Sequence, residues 1–201
     1  MKKILISPII NLSKHNEVCY LFKEDWIKYL KKIKFELHLY SDSIKNYNIY
    51  DGLIIPGSGD IFKISKKLID KKIDNLEKNL IEIFSKKHKP ILTVCRGMLN
   101  LSSINGSTLK KVTGHVNKNH SIDFLKDKMN TNSFHNFAIK NKPSNFDIIG
   151  LSKDNIIEAI YSRKKNIFGI MFHPERKNIS QSKIDKNIIN FFNGSNYFSS
   201  R

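Results

Sequence analysis

The chain has 201 residues, with 35 basic against 18 acidic side chains for a formal net charge of +17, and two cysteines. A chain of this length buries about 70% of its unfolded surface, so it requires no staple, and two cysteines fit a reducing compartment better than a disulfide framework. The longest clear apolar run, 167–172, has six residues, far short of the ~20 that cross a bilayer.

In chain order, residues 3–9 read as a first strand, apolar enough for burial on both faces. Pro8, Asn11 and Lys14 interrupt the apolar start, and no small-residue cleavage site of a secretory leader follows. Apolar residues at 18, 21, 22, 26, 29, 30 and 33 form a helical stripe, which predicts a helix over about 18–32 with Trp26 in the core. Alternation over 35–40 predicts a second strand, and 52–56 a short buried one running into Gly57-Ser58-Gly59-Asp60. A helix at 76–87, a buried strand at 91–94 and helical spacing at 98–104 follow. Such alternation argues for an α/β fold with a parallel sheet and helices on both faces. The second half is richer in strand, at about 133–140, 146–152, 156–161 and 167–172, before a helix at 182–192 and a fraying tail at 194–201. No repeat, linker or Pro/Gly-rich boundary divides the chain, so one cytoplasmic domain over 1–201 is expected, without membrane association.

The charge excess favours polyanionic partners. Only four of the basic residues are arginines (Arg96, Arg163, Arg176 and Arg201), and lysine lacks the planar fork that grips phosphate bidentately. No nucleic-acid module or interleaved aromatics accompany the lysines, so nucleic acid is not an expected partner. A solvated surface is the plain reading, and an anionic small-molecule substrate the functional one.

Cys95 sits where a buried strand meets a helix, with Gly97 two residues on. This is the pattern of a nucleophile elbow, in which a tight strand-to-helix turn pushes a reactive side chain out of the sheet. The helix N-terminus beside the sulfur favours thiolate. Near the other end, 167–172 leads to His173-Pro174-Glu175. On an extended chain residues i and i+2 share a face, so the Glu175 carboxylate can hold one ring nitrogen of His173 protonated while the other accepts a thiol proton. Cys95 as a small buried hydrophobe and His173–Glu175 as a structural pair are the plain alternatives; their joint presence favours chemistry.

These residues carry a resemblance. Pro56-Gly57-Ser58-Gly59-Asp60, the stretch 90–106 around Cys95-Arg96-Gly97-Met98, Asn132-Ser133-Phe134-His135, Glu158-Ala159 and Gly169-Ile170-Met171-Phe172-His173-Pro174-Glu175 occur together in this order. In that set and order the chain resembles the class I (triad) glutamine amidotransferases, particularly their γ-glutamyl hydrolase branch, peptidase family C26. The resemblance implies a flavodoxin-like three-layer α/β sandwich with a central, mostly parallel sheet. It implies Cys95 as nucleophile on a γ-glutamyl carbonyl, His173 as proton carrier and Glu175 as its support. Backbone N–H groups of Ser58 and Arg96 would form the oxyanion hole, flanked by Gly57 and Gly59. Losing one such donor typically costs on the order of 3 kcal/mol. Asn132, Ser133, Phe134 and His135 would hold the glutamyl group, with a purely structural His135 as the alternative.

Three positions depart from that family's usual pattern: Thr93 and Ser58 where many relatives have glycine, and Leu99 where glutaminases often carry glutamine. Leucine cannot reproduce the polar contact, which favours a γ-glutamyl substrate other than glutamine. In its narrowest form the resemblance is to hydrolases that free a cytidine diphosphoramidate from a γ-glutamyl-linked nucleotide in bacterial capsule biosynthesis, with Arg96 the nearest candidate for a phosphate contact. A glutaminase subunit feeding ammonia to a synthetase partner, and a non-catalytic binding protein, are the alternatives. His115 and His120 are five apart, a spacing that matches neither one helix face nor one strand face, so no zinc pair is expected. No metal or organic cofactor is implied, because thiol, imidazole and carboxylate suffice for acyl transfer. Cys19, read as opening the first helix, is expected to pack.

Overall fold

A computed structural model describes residues 1–125 and 127–194. Nine strands form one sheet, and its two halves differ in direction. The first half is parallel: β1 (Lys3–Ile6), β4 (Glu36–Leu39), β5 (Gly52–Ile55), β6 (Ile91–Val94) and β13 (Ile167–Ile170) lie in the order β4-β1-β5-β6-β13. Beyond β13 the sheet continues antiparallel through β12 (Ile157–Ser162), β11 (Asp147–Ser152), β8 (Val116–Phe124) and β9 (Asp127–Phe134). Two short hairpin sheets stand apart, β2 (Ile9–Leu12) with β3 (Val18–Leu21) and β7 (Leu109–Lys111) with β10 (Phe137–Ile139).

The apolar runs of the central strands are explained by two cores, one on each face. Ile4, Ile6, Ile54, Leu92, Val94, Phe168 and Ile170 face α1 (Glu24–Lys32) and α5 (Gln181–Phe192), which contribute Trp26, Tyr29, Leu30, Ile184, Ile188 and Phe191. Their alternates Leu5, Leu53, Ile55, Ile91 and Ile167 face α3 (Leu68–Lys86) and α4 (Arg96–Ile104) through Leu80, Ile81, Phe84, Met98 and Leu101. Each buried side chain of this size contributes about 1.5–3 kcal/mol relative to exposure. The expected α/β sandwich is present, with Trp26 in its core.

Several local expectations are corrected. The first strand stops at Ile6, and Ile9–Leu12 turns away as half of a hairpin. The first helix begins at Glu24 rather than near 18, because Val18–Leu21 pairs with β2 as β3, placing Cys19 in a strand. Helix α3 starts at Leu68, eight residues earlier than its apolar stripe, after the four-residue α2 (Phe62–Ser65) ends at a left-handed Lys66. The predicted strand at 133–140 is the end of β9 followed by the whole of β10. Of the tail expected to fray, all but Gly194 lies outside the described residues.

Candidate active site

Adjacent parallel strands β5, β6 and β13 end side by side, in a register that pairs Ile55 with Thr93 and Val94 with Ile170. The segments leaving these strands are therefore juxtaposed at the carboxyl edge, the usual ligand-binding edge of such sheets. After β5 comes the glycine loop 57–60, after β6 Cys95, and after β13 His173.

Cys95 adopts φ 50°, ψ −106°, a conformation non-glycine residues rarely take, and its backbone N–H donates to the Ile170 carbonyl at 2.7 Å. Such strain persists only where surrounding structure enforces it. Here β6, β13 and α4 do so: a side chain at Gly97 would meet the Ile55 carbonyl oxygen at 2.8 Å, so glycine lets α4 start hard against β5. Thr93 is fully buried opposite Gly169, where a Cβ would stand 3.0 Å from the threonine hydroxyl. The missing side chain at Gly169 makes room for threonine before the elbow.

The imidazole of His173 hydrogen-bonds the Cys95 thiol, and its Nδ1 lies 2.7 Å from Glu175 Oε1. The Glu175 side chain is wholly buried. Burial alone would depress the His173 pKa, but hydrogen bonds and charge from Cys95 and Glu175 outweigh it and raise the pKa to about 9. The ring is thus suited to holding its proton between the two partners. The His–Glu pair is not made along an extended strand as expected. β13 ends at Ile170, and Arg176 N–H returns to the His173 carbonyl at 3.2 Å, so a turn brings the carboxylate to the ring.

The glycine loop lies directly over this pair. A Cβ at Gly57 would stand 2.8 Å from both Cys95 Cβ and His173 Cε1. Arg96 is the first residue of α4, so its N–H is among those without an intrahelical acceptor. Ser58 does not take a positive φ, whereas Gly59 does, at 66°, so serine stands where many relatives have glycine without backbone strain. Leu99 is buried in the apolar cluster beside α3.

The Arg96 side chain is not where a phosphate contact requires it. It is buried and committed to Glu77 and Asp74, each at 2.5 Å, and to the Asp60 carbonyl at 3.2 Å, pinning α4 to α3. The cations that do flank the site are Lys23 and Arg176, which carry no motif in the sequence. Lys23 Nζ donates to the Gly57 carbonyl at 2.8 Å, and its pKa is lowered by burial and by Arg176, against the raising effects of Glu175 and Cys95. Arg176 lies over the Phe134 ring at 4.3 Å, and Phe134 is edge-on to His173 at 5.8 Å between centroids.

Of the four residues expected to hold the glutamyl group, Phe134 borders the site. Asn132 instead clamps the His173 backbone, donating to its carbonyl and accepting from its N–H, both at 2.8 Å. Ser133 Oγ donates to the His115 carbonyl at 2.7 Å, and His135 is buried beside Glu158 at 3.4 Å. Asn132, Ser133 and His135 thus direct their side chains into the protein, leaving backbone groups for any substrate contact. His115 and His120, too far apart in periodicity to share a face, nevertheless meet with ring centroids 5.0 Å apart. Among the described residues no helix is long and apolar enough to cross a membrane.

The family model for class I glutamine amidotransferases matches residues 19–192. A gamma-glutamyl-CDP-amidate hydrolase of Campylobacter jejuni is 37% identical over 131 residues, covering 65% of this chain and 65% of the relative, just under two thirds of its length. A glutamine-hydrolysing GMP synthase subunit of Picrophilus torridus is 26% identical over 149 residues, covering 69% of this chain and 75% of that one. Among solved structures, a candidate GMP synthase subunit of Thermoplasma acidophilum superposes with a TM-score of 0.71 at 15% identity, covering 100% and 98% of the two chains. A glutamine amidotransferase of Thermotoga maritima gives 0.63 at 14%, covering 87% and 76%. At those identities the likeness is one of fold, and the sequence match carries the assignment: this chain belongs to the class I glutamine amidotransferase family.

Proposed function

We propose that the protein hydrolyses the γ-glutamyl C–N bond of a γ-glutamyl amide, with a γ-glutamyl nucleoside-diphosphate amidate, γ-glutamyl-CDP-amidate, as its substrate. The observation that carries the reading is the Cys95–His173–Glu175 arrangement at the strained strand-to-helix turn. The Cys95 thiolate attacks the γ-carbonyl, and backbone N–H groups of Arg96 and Ser58 receive the oxyanion. The tetrahedral species collapses as the C–N bond breaks and His173 gives its proton to the departing nitrogen. His173 then activates water, whose attack on the γ-glutamyl thioester releases glutamate and restores the thiol. Glu175 holds the ring orientation throughout.

The nucleotide-linked substrate is supported by the activity for which the Campylobacter jejuni relative is named and by Lys23, which feels the charge of Cys95, and Arg176 over the Phe134 ring, two cations at the site suited to an anionic leaving group. A second reading, a glutaminase supplying ammonia to a synthetase, is favoured by the GMP synthase relatives, while Leu99 weighs against it. The test is glutamate release from γ-glutamyl-CDP-amidate, glutamine and a γ-glutamyl polyamine, with Cys95→Ser as control. Cleavage of the nucleotide conjugate well above glutamine is expected. Cleavage of glutamine alone, or of no γ-glutamyl amide, would overturn the proposal.

A further inference from the structure

Where β8 begins and β9 ends, three imidazoles surround one buried carboxylate. Glu158, on β12, has no exposed side-chain surface, and its Oε1 lies 3.4 Å from His115 Nδ1, 3.4 Å from His135 Nε2 and 3.7 Å from His120 Nε2. Neither Glu158 oxygen has a hydrogen-bond partner, nor do His120 Nε2 and His135 Nε2.

The outer partners fix which nitrogens carry protons. His115 Nε2 lies 2.9 Å from Asp154 Oδ2, an acceptor when ionised, so the proton of the neutral ring sits on Nε2 and the Nδ1 lone pair faces Glu158. His135 Nδ1 lies 3.1 Å from the Phe137 carbonyl, so it carries the proton and Nε2 presents its lone pair inward. When His115 is neutral, two ring lone pairs and a carboxylate therefore converge on one buried spot; without a bound metal ion, Glu158 and Asp154 favour a second proton on His115, whose pKa is raised to about 9. Burying such a set is costly unless a proton or a metal ion lies between them.

The spacing selects the cation. Bonds of about 2.0–2.1 Å in a tetrahedron separate neighbouring ligand atoms by about 3.3–3.4 Å. The 3.4 Å separations here match that edge, and the ligating atoms of His115, His135 and Glu158 all lie within 4.8 Å of one another. His120, at the rim, supplies a fourth nitrogen. A nitrogen-rich set with one carboxylate suits a borderline divalent ion over magnesium or calcium, and four protein ligands make a closed, structural site. Asp154 behind His115 and the Phe137 carbonyl behind His135 are the outer hydrogen-bond acceptors that orient imidazole ligands.

We propose that His115, His120, His135 and Glu158 bind one zinc ion, which ties β8, β9 and β12 together beneath the strand that carries Asn132 and Phe134 to the active site. Because Cys95 and His173 also offer a thiolate and an imidazole, the test uses the full-length Cys95→Ser protein. Metal-stripped protein is titrated with Zn²⁺ by calorimetry and with Co²⁺ in the visible range, and the zinc form is examined by X-ray absorption. One equivalent of Zn²⁺, the intense visible bands of four-coordinate Co²⁺ and a nitrogen/oxygen shell without sulfur are expected. Adding Glu158→Gln or the rim substitution His120→Ala should weaken binding at least tenfold. Should Glu158→Gln fail to fold, His120→Ala decides alone. Absence of saturable zinc uptake, or uptake unchanged by these substitutions, would overturn the proposal.

Discussion

Two buried histidine–glutamate groups lie near the carboxyl end of β13, where the Met171 N–H donates to the Glu158 carbonyl two residues before His173, and they differ in how many rings share the carboxylate. At Glu175 a single imidazole has one nitrogen on the carboxylate and the other on the Cys95 thiol, so the proton has defined places to be. At Glu158 three imidazoles meet one carboxylate, and a second proton on His115, whose pKa is raised to about 9, offsets its charge unless a metal ion takes that place. Burial and residue type are alike in both. What differs is how many imidazoles share the carboxylate: one, with a thiol on its far side, is suited to moving a proton, and three converging rings are suited to holding a cation.

Removing the sulfur breaks this contrast most severely. Cys95→Ser should lower glutamate release by at least about 10⁴-fold while leaving the Glu158 group intact, measured by single-turnover assay. Glu175→Gln should cost on the order of 10³–10⁴-fold in kcat through loss of tautomer control; near-normal turnover would remove Glu175 from the mechanism. Gly57→Ala places a methyl 2.8 Å from both Cys95 Cβ and His173 Cε1, and a displacement of that kind should reduce kcat by about 10². Arg176→Ala should raise KM for the nucleotide conjugate by about tenfold, equivalent to about 1.4 kcal/mol, and by less for an amide with a neutral leaving group.

The subtlest measurement is the titration of the His173 ring, followed by NMR. Its pKa is raised to about 9, above the ~6.5 of an unfolded histidine. Its contribution to stability is therefore complete below about pH 6.5 and is lost as pH rises through about 9. Glu175→Gln should move the midpoint downward; a ring titrating near 6.5 in the unsubstituted protein would mean that the two partners do not hold its proton.

The parallel half of the sheet was legible because strands buried on both faces must be apolar throughout. Residues 52–55 and 91–94 announce themselves, and the abrupt switch to helical spacing after Val94 locates Cys95. The antiparallel half was less so. Val116–Phe124 is a nine-residue strand with only two fully buried positions, so little apolar periodicity marks it. At Val18–Leu21 the apolar residues matched a helical stripe by coincidence, and pairing with Ile9–Leu12 decided otherwise. The Arg96 side chain drew attention through its place beside the nucleophile, yet Glu77 and Asp74 on another helix claim it. Lys23 carried no motif and reaches the glycine loop only through the packing of α1.

The sequence by itself determined the chemical set: a cysteine at a strand-to-helix turn, and a histidine with a glutamate two residues on. These are local facts, and backbone geometry reads them directly. Tertiary structure alone decided that the ends of β5, β6 and β13 converge, that Asn132 braces the histidine backbone, and that His115, His120 and His135 gather on Glu158. Such meetings depend on strand register and on which faces pack together, and neither is encoded in the spacing of residues along one segment.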